Sequence, residues 1–208
     1  MPSESQSPQT RYSLILRLRN RDDLQAWTDF VEVYHPLIHS LAVRRGLQSA
    51  DADDVTQEVL TRVARSIDDW VPDPNRGSFR GWLATITRNQ TVQCFRESSR
   101  RPTAGVDSQT VAELADPDGE KFTADEFDIE HERQLFAWAA RKVQTRFEPR
   151  TWQAFWLTAV EQQPVEEVAE QIQMNRAQIY VARSRVMRQL KQTIEGTMFD
   201  SRHDWRVR

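Results

Sequence analysis

Three groups of side chains in this sequence have the types and spacing for recognition chemistry. The first is acidic and polar: Asp51, Asp54, Gln57 and Glu58, joined by Thr61 and Arg62, recur at helical spacing opposite an aliphatic stripe of Ala52, Val55, Val59, Leu60, Val63 and Ile67. A solvated surface explains such a face, and so does a protein-binding surface; composition does not separate them. The second group is aromatic and basic. Phe79 and Trp82 stand beside Asn75, Arg76 and Arg80, while Arg88, Asn89 and Arg96 extend the basic side. Aromatic rings among arginines suit single-stranded nucleic acid, because stacking tolerates any sequence and contributes roughly 1–3 kcal/mol per base. Trp82 keeps helical spacing with Leu83 and Ile86, so it is assigned mainly to packing, and the contact role falls to the loop and the arginines. The third group is a basic helix near the end of the chain. Ile179, Ala182, Val186 and Leu190 form its apolar side, which leaves Ala177, Tyr180, Val181, Ser184, Arg185, Arg188 and Lys191 on the opposite face with Arg176 and Arg183 at the margins. Arginine pairs bidentately with guanine, serine bonds a base or a phosphate, and Val181 can meet a thymine methyl. The plain alternative is a solvated Arg-rich helix.

These groups require a scaffold of helices. Leu24, Trp27, Val31 and Tyr34 predict one helix, and Pro36 opens a second that carries Leu37, Ile38 and Leu41 and stops at Gly46. The acidic face lies on a third helix with Ser49 or Asp51 as its cap, and Ser78 caps a fourth after the loop 71–77. Residues 102–119 mix Pro, Gly, Ser and acids without an apolar period and read as a linker. Beyond it, Ile129, Leu135, Phe136, Ala139 and Val143 predict a long helix. Pro149 starts the next, which holds Trp152, Phe155, Trp156 and Ala159, and Pro164 starts a short one through Val165, Val168, Ala169 and Ile172. A turn at 173–175 then leads into the basic helix, the order of a helix-turn-helix. No stretch alternates at period two. The expected fold class is therefore all-α, with two small helical domains joined by a flexible acidic linker. The expected boundaries are a polar N-terminal segment at 1–20, a first domain at 21–101, a linker at 102–127, a second domain at 128–196 and a tail at 197–208.

Composition narrows the function classes. The 208 residues carry a net charge of −3, which argues against a protein that grips DNA unaided, since that affinity comes from neutralising phosphates. The charge is segregated. From Arg76 to Arg101 six arginines face Glu97 alone, and from Ile172 to Ile194 no acid interrupts the basic residues; the stretch between is acidic. The single Cys94 excludes an internal disulfide, and His35, His39, His131 and His203 form no ligand cluster with it, so no metal and no cofactor are expected. His35 and His39, spaced i, i+4, read as a surface or core-edge pair. Neither a phosphate-cradling glycine loop nor a nucleophile–base pair is present, so no enzyme is expected. Without an apolar run of ~18 residues or a signal peptide, the expected location is cytoplasmic.

Asp51-Ala-Asp-Asp-Val-Thr-Gln-Glu-Val59, followed by Phe79-Arg-Gly-Trp-Leu-Ala-Thr-Ile-Thr-Arg-Asn89, resembles the second conserved region of extracytoplasmic-function (ECF) sigma factors of the sigma-70 superfamily. Pro164-Val-Glu-Glu-Val-Ala-Glu-Gln-Ile172 with Val181-Ala-Arg-Ser-Arg-Val186 resembles their fourth region, and Phe147-Glu-Pro-Arg-Thr-Trp-Gln-Ala-Phe-Trp156 is similar to a planctomycete-type subset. The resemblance implies a subunit that binds core RNA polymerase and directs promoter recognition, DNA opening and transcription initiation. It implies docking of Asp51, Asp54, Gln57 and Glu58 on the β′ clamp helices, and a contact of the fourth region with the β flap. For the −10 element it implies Asn75, Arg76, Ser78, Arg80, Arg88 and Asn89, with Arg96 on the same basic side; for the −35 duplex, Arg176, Tyr180, Arg183, Ser184, Arg185 and Arg188. An anti-sigma factor is a further partner in such families. Many members enter the recognition helix through a Gly-Thr-Val-like run, where this chain has Asn175-Arg-Ala-Gln-Ile-Tyr180, which leaves the register of base contacts open by a residue or two. The alternative is a stand-alone helix-turn-helix regulator with the first bundle as a dimerisation module. A third reading is a helical adaptor that binds only proteins.

Overall fold

The computed structural model describes residues 12–71, 78–99 and 124–197, and among these every regular element is a helix. Eight follow in order: α1 (Tyr12–Arg19), α2 (Leu24–Arg44), α3 (Ser49–Ser66), α4 (Phe79–Ser99), α5 (Ala124–Gln144), α6 (Pro149–Phe155, continued as a π-helical turn over Trp156–Val160), α7 (Val165–Gln171) and α8 (Arg176–Thr197). The all-α expectation holds. Two compact units divide at Gln134 and Leu135, within α5. The first half of α5 belongs to the first unit because Phe127, Glu130 and His131 are buried there, whereas the sequence pattern starts the second domain at 128.

In the first unit α2 packs on α1, α3 and α4, and α3 packs on α4. The expected polar segment 1–20 contains α1, whose Leu14, Ile15 and Leu18 are fully buried. Asp23 then fixes the start of α2: its carboxylate accepts from the Ala26 N–H at 3.0 Å and from the Arg17 guanidinium at 2.7 and 2.9 Å. Those bonds hold its pKa below the usual carboxylate value, the Arg17 bond first.

Pro36 opens no second helix; it lies inside a continuous α2. A mid-helix proline costs ~3 kcal/mol. Phe30, Val33 and Tyr34 before it and Leu37, Ile38 and Leu41 after it are all buried, at roughly 1.5–3 kcal/mol for each large apolar side chain, and that offsets the lost hydrogen bond. The core stripe is also shifted from the expected one, since Leu24 is 73% exposed while Phe30 and Val33 are inside.

Gly46, at φ +97°, ends α2 as expected. Its N–H donates to Val43 and the Leu47 N–H donates to Ala42, the paired bonds of a Schellman termination. Gln48, rather than Ser49 or Asp51, is the N-cap residue of α3, without a side-chain bond. The α3 stripe follows its spacing, with Ala52, Val55, Val59, Val63 and Ile67 buried and Leu60 half-buried. Ser78 does cap α4: its Oγ accepts from the Gly81 N–H at 3.1 Å. An aromatic cluster closes this core, with Phe30 stacked on Tyr34 at 4.5 Å and edge-on to Phe79 at 6.1 Å.

In the second unit Leu135, Trp138, Ala139 and Val143 of α5 are buried, whereas Ile129, expected on that stripe, is 64% exposed and lies in the first unit. Pro149 takes the first position of α6, as its fixed φ favours. Past Phe155 the helix widens: the Glu161 N–H donates to Trp156, five residues back, at 3.0 Å. Ala154, Leu157, Val168, Ile172, Ile179 and Ala182 form one buried cluster that locks α6, α7 and α8 together.

Candidate nucleic-acid interface

The outward face of α3 gathers the polar residues that sequence spacing put together. Asp54, Gln57 and Glu58 are exposed and Asp51 is half-buried, all opposite the buried valines. Glu58 accepts from Arg62 one turn on at 3.0 Å, and Arg62 also donates to the carboxamide oxygen of buried Gln90 on α4. An exposed pair of this kind adds little stability. The other carboxylates leave the face anionic and accessible to a cationic or hydrogen-bond-donating partner.

On α4 the expected basic surface is smaller than the sequence suggests. Asn75 and Arg76 lie outside the described residues. Ser78 spends its hydroxyl on the helix cap and is half-buried; Asn89 and Arg96 are exposed and Arg88 is half-buried.

Arg80 requires a correction: it is only 5% exposed, inside the first unit rather than on its surface. Its Nε lies 3.2 Å from the Asp128 carboxylate, and one terminal nitrogen lies 3.3 Å from Nδ1 of His131, both on the first half of α5. His131 is completely buried against the Tyr34 ring at 5.4 Å. Burial first, and the Arg80 charge second, lower its pKa to about 3, so the ring is neutral and Nδ1 can accept from the guanidinium. Asp128 moves the other way: burial raises its pKa despite the nearby Arg80. Nearby, Arg44 on α2 donates to fully buried Glu130 at 2.8 Å, which also accepts from Gln134 at 2.7 Å, and Arg45 pairs with Glu126. Sequence reasoning gives none of these α5 residues a role, because nothing in their local pattern marks partners that lie 51 residues away in Arg80 and 86 in Arg44.

The helix-turn-helix of the second unit is formed by α7, the turn 173–175 and α8. Asn175 and Gln178 bond reciprocally: Asn175 Oδ1 accepts from the Gln178 N–H at 2.8 Å, and Gln178 Oε1 accepts from the Asn175 N–H at 2.9 Å. This capping box sets the start of α8 at Arg176. Outward from the buried side lie Arg176, Tyr180, Val181, Ser184, Arg185 and Arg188, with Tyr180 56% and Val181 57% exposed. Arg183 is half-buried at the margin, its guanidinium carbon 6.0 Å from the Tyr180 ring centre. Arg185 sits at the same distance, 6.0 Å, over Phe147. Arg176 reaches back to Glu166 at the start of α7, 3.3 Å away. The six residues expected on this face therefore share one helix, five of them exposed. Sequence reasoning misses Gln178 and Arg150, whose bonds define the turn.

Among the described residues no group of three or more His, Cys, Asp or Glu side chains is placed to hold a metal. Nor is any of their helices long and apolar enough to cross a membrane.

Residues 30–101, which carry the acidic face of α3 and the exposed Asn89 and Arg96 of α4, match the family "Sigma-70 region 2". Over 77 residues the chain is 34% identical to the ECF RNA polymerase sigma factor SigE of Mycolicibacterium smegmatis, a stretch that covers 37% of this chain and 28% of that protein. The chain is thus similar, over its region 2 match and these 77 residues, to sigma-70 family proteins of the ECF group. It spans little more than a quarter of its relative's length, 28%.

Proposed function

We propose that the chain acts as a sigma factor, a non-catalytic subunit that joins core RNA polymerase and directs it to promoters in the cytoplasm. The observation that carries this reading is the order of parts: a sigma-70 region 2 unit is followed in the same chain by a helix-turn-helix with a basic outward face. The exposed carboxylates and amide of α3, Asp51, Asp54, Gln57 and Glu58, dock on the β′ clamp helices, and the second unit meets the β flap. Ser78, Arg88, Asn89 and Arg96 of the first unit, with Asn75 and Arg76 just before them in the sequence, engage the −10 element as it opens. Arg80, which is interior, takes no part in that contact. Arg176, Tyr180, Arg183, Ser184, Arg185 and Arg188 read the −35 element as duplex, with Asn175 setting their register.

The net charge of −3 supports a division of labour, in which polymerase supplies positive surface that this chain lacks and neither unit binds DNA tightly alone. Opening a base step costs a few kcal/mol, which base stacking and pocket contacts offset. In vitro transcription with purified core polymerase over a promoter library tests the whole reading. Initiation from a subset of templates with two shared elements is expected; no association with core, or tight duplex binding that polymerase does not improve, refutes it.

A further inference from the structure

The direction in which α8 presents its outward face is set by the three residues before it, and the first of them is in an unfavourable conformation. Gln173 has φ +53°, in the left-handed region that glycine occupies freely and a residue with a Cβ does not. The turn there is a Schellman termination of α7: the Met174 N–H donates to Ala169 at 3.0 Å and the Gln173 N–H to Glu170 at 3.4 Å. Met174 packs against the core cluster shared by α6, α7 and α8. On its far side the turn is tied by the Asn175–Gln178 box. On its near side the carbonyls of Ile172 and Gln173 both accept from one terminal nitrogen of Arg150, at 2.5 and 2.7 Å. Arg150 comes from the first turn of α6, so this contact links an element outside the helix-turn-helix to the turn within it.

We propose that Arg150 is a positioning residue for the DNA-reading helix. Its guanidinium clamps the carbonyls on either side of the strained peptide and holds Gln173 in a conformation its own side chain disfavours, so that α8 leaves the turn at a fixed angle. A charged donor suits the task, since bonds from an ionised group are stronger than neutral ones, and a guanidinium can serve two adjacent carbonyls from one position. The inference rests on the reading of the second unit as the duplex-binding module. It adds that promoter discrimination depends on a side chain outside α7 and α8, acting through the backbone.

Glycine supplies the test. If Arg150 serves to hold φ positive at 173, Gln173→Gly relieves the need for it; a direct phosphate contact by Arg150 gains nothing from that change. Two measurements on the 208-residue chain apply to wild type, Arg150→Ala and the Arg150→Ala/Gln173→Gly double variant. One is amide hydrogen exchange of the free protein across 172–176. The other is holoenzyme binding to a library-selected promoter, compared with the same promoter with its −35 element scrambled. For Arg150→Ala, exchange at the turn is expected to rise about tenfold and the preference for the intact −35 element to fall about tenfold, equivalent to ~1.4 kcal/mol. The double variant is expected to recover both. Wild-type exchange at the turn in Arg150→Ala overturns the proposal, and so does a loss of −35 preference that glycine fails to restore. A wild-type holoenzyme indifferent to the −35 element would instead overturn the duplex-reading role of the second unit, while the exchange data still decide whether Arg150 holds the turn.

Discussion

Acidification from pH 7 to pH 4.5 should weaken the first unit through a single buried ring. His131 titrates at about 3 in the folded protein against an ordinary 6.5, because burial and then the neighbouring Arg80 disfavour its cation. Below pH 6.5 the unfolded chain therefore binds a proton that the folded chain refuses. Stability is complete above 6.5 and falls as pH drops toward 3, by ~1.36 kcal/mol per unit. Over the two units from 6.5 to 4.5 the loss is on the order of 3 kcal/mol, a large part of a typical domain stability of ~5–15 kcal/mol. Asp128 opposes it: a carboxyl whose folded pKa is raised by burial takes up its proton earlier when folded, and so gains relative stability on acidification. The comparison is therefore with His131→Gln, which keeps an acceptor for Arg80, leaves Asp128 in place and removes the titration. Urea denaturation followed by tryptophan fluorescence at pH 7 and pH 4.5 gives the four stabilities, and contributions from the second unit cancel in the difference. Wild type should lose more stability than the variant over that range, on the order of 3 kcal/mol. Parallel pH profiles for the two proteins would refute the assignment of a neutral, acid-resistant His131.

Asp54→Asn combined with Glu58→Gln should lower the affinity for core polymerase by about tenfold or more while leaving helical circular dichroism unchanged, since both side chains are exposed; unaltered association in a pull-down titration would remove the docking role from α3. Arg185→Ala with Arg188→Ala should sharply reduce promoter-dependent transcription and flatten the salt dependence of holoenzyme binding by about one unit of log–log slope for each phosphate no longer neutralised; transcription at wild-type level would favour a protein-only adaptor. Asn175→Ala removes one arm of the capping box and should cost about 1 kcal/mol of second-unit stability, read by thermal denaturation.

How much can be read from the sequence follows from what kind of information each feature carries. The two faces of α3 are legible because helical periodicity is local: Ala52, Val55, Val59 and Val63 are inside and Asp54 and Glu58 outside on spacing alone. The starts of α7 and α8 are legible for a similar reason, with Pro164 preceding one and a 173–175 turn preceding the other. Pro36 misleads because a local rule loses to tertiary burial on both sides of it. Arg150 is invisible because its acceptors are backbone carbonyls, which any residue supplies.

The basic block on α4 shows the limit most clearly. Arg80 and Arg88 look equivalent in a charge count, yet eight residues at ~100° each leave them about 80° apart around the helix. That rotation turns Arg80 inward, where it meets Asp128 and His131, and leaves Arg88 half-buried. A burst of arginines therefore gives the sign of a surface but not its membership. The nucleic-acid surface proposed for the first unit is left with the arginines that are not drawn inside against α5, and α5 is reached only after a further 24 residues of chain, 100–123, whose pattern predicts nothing about it.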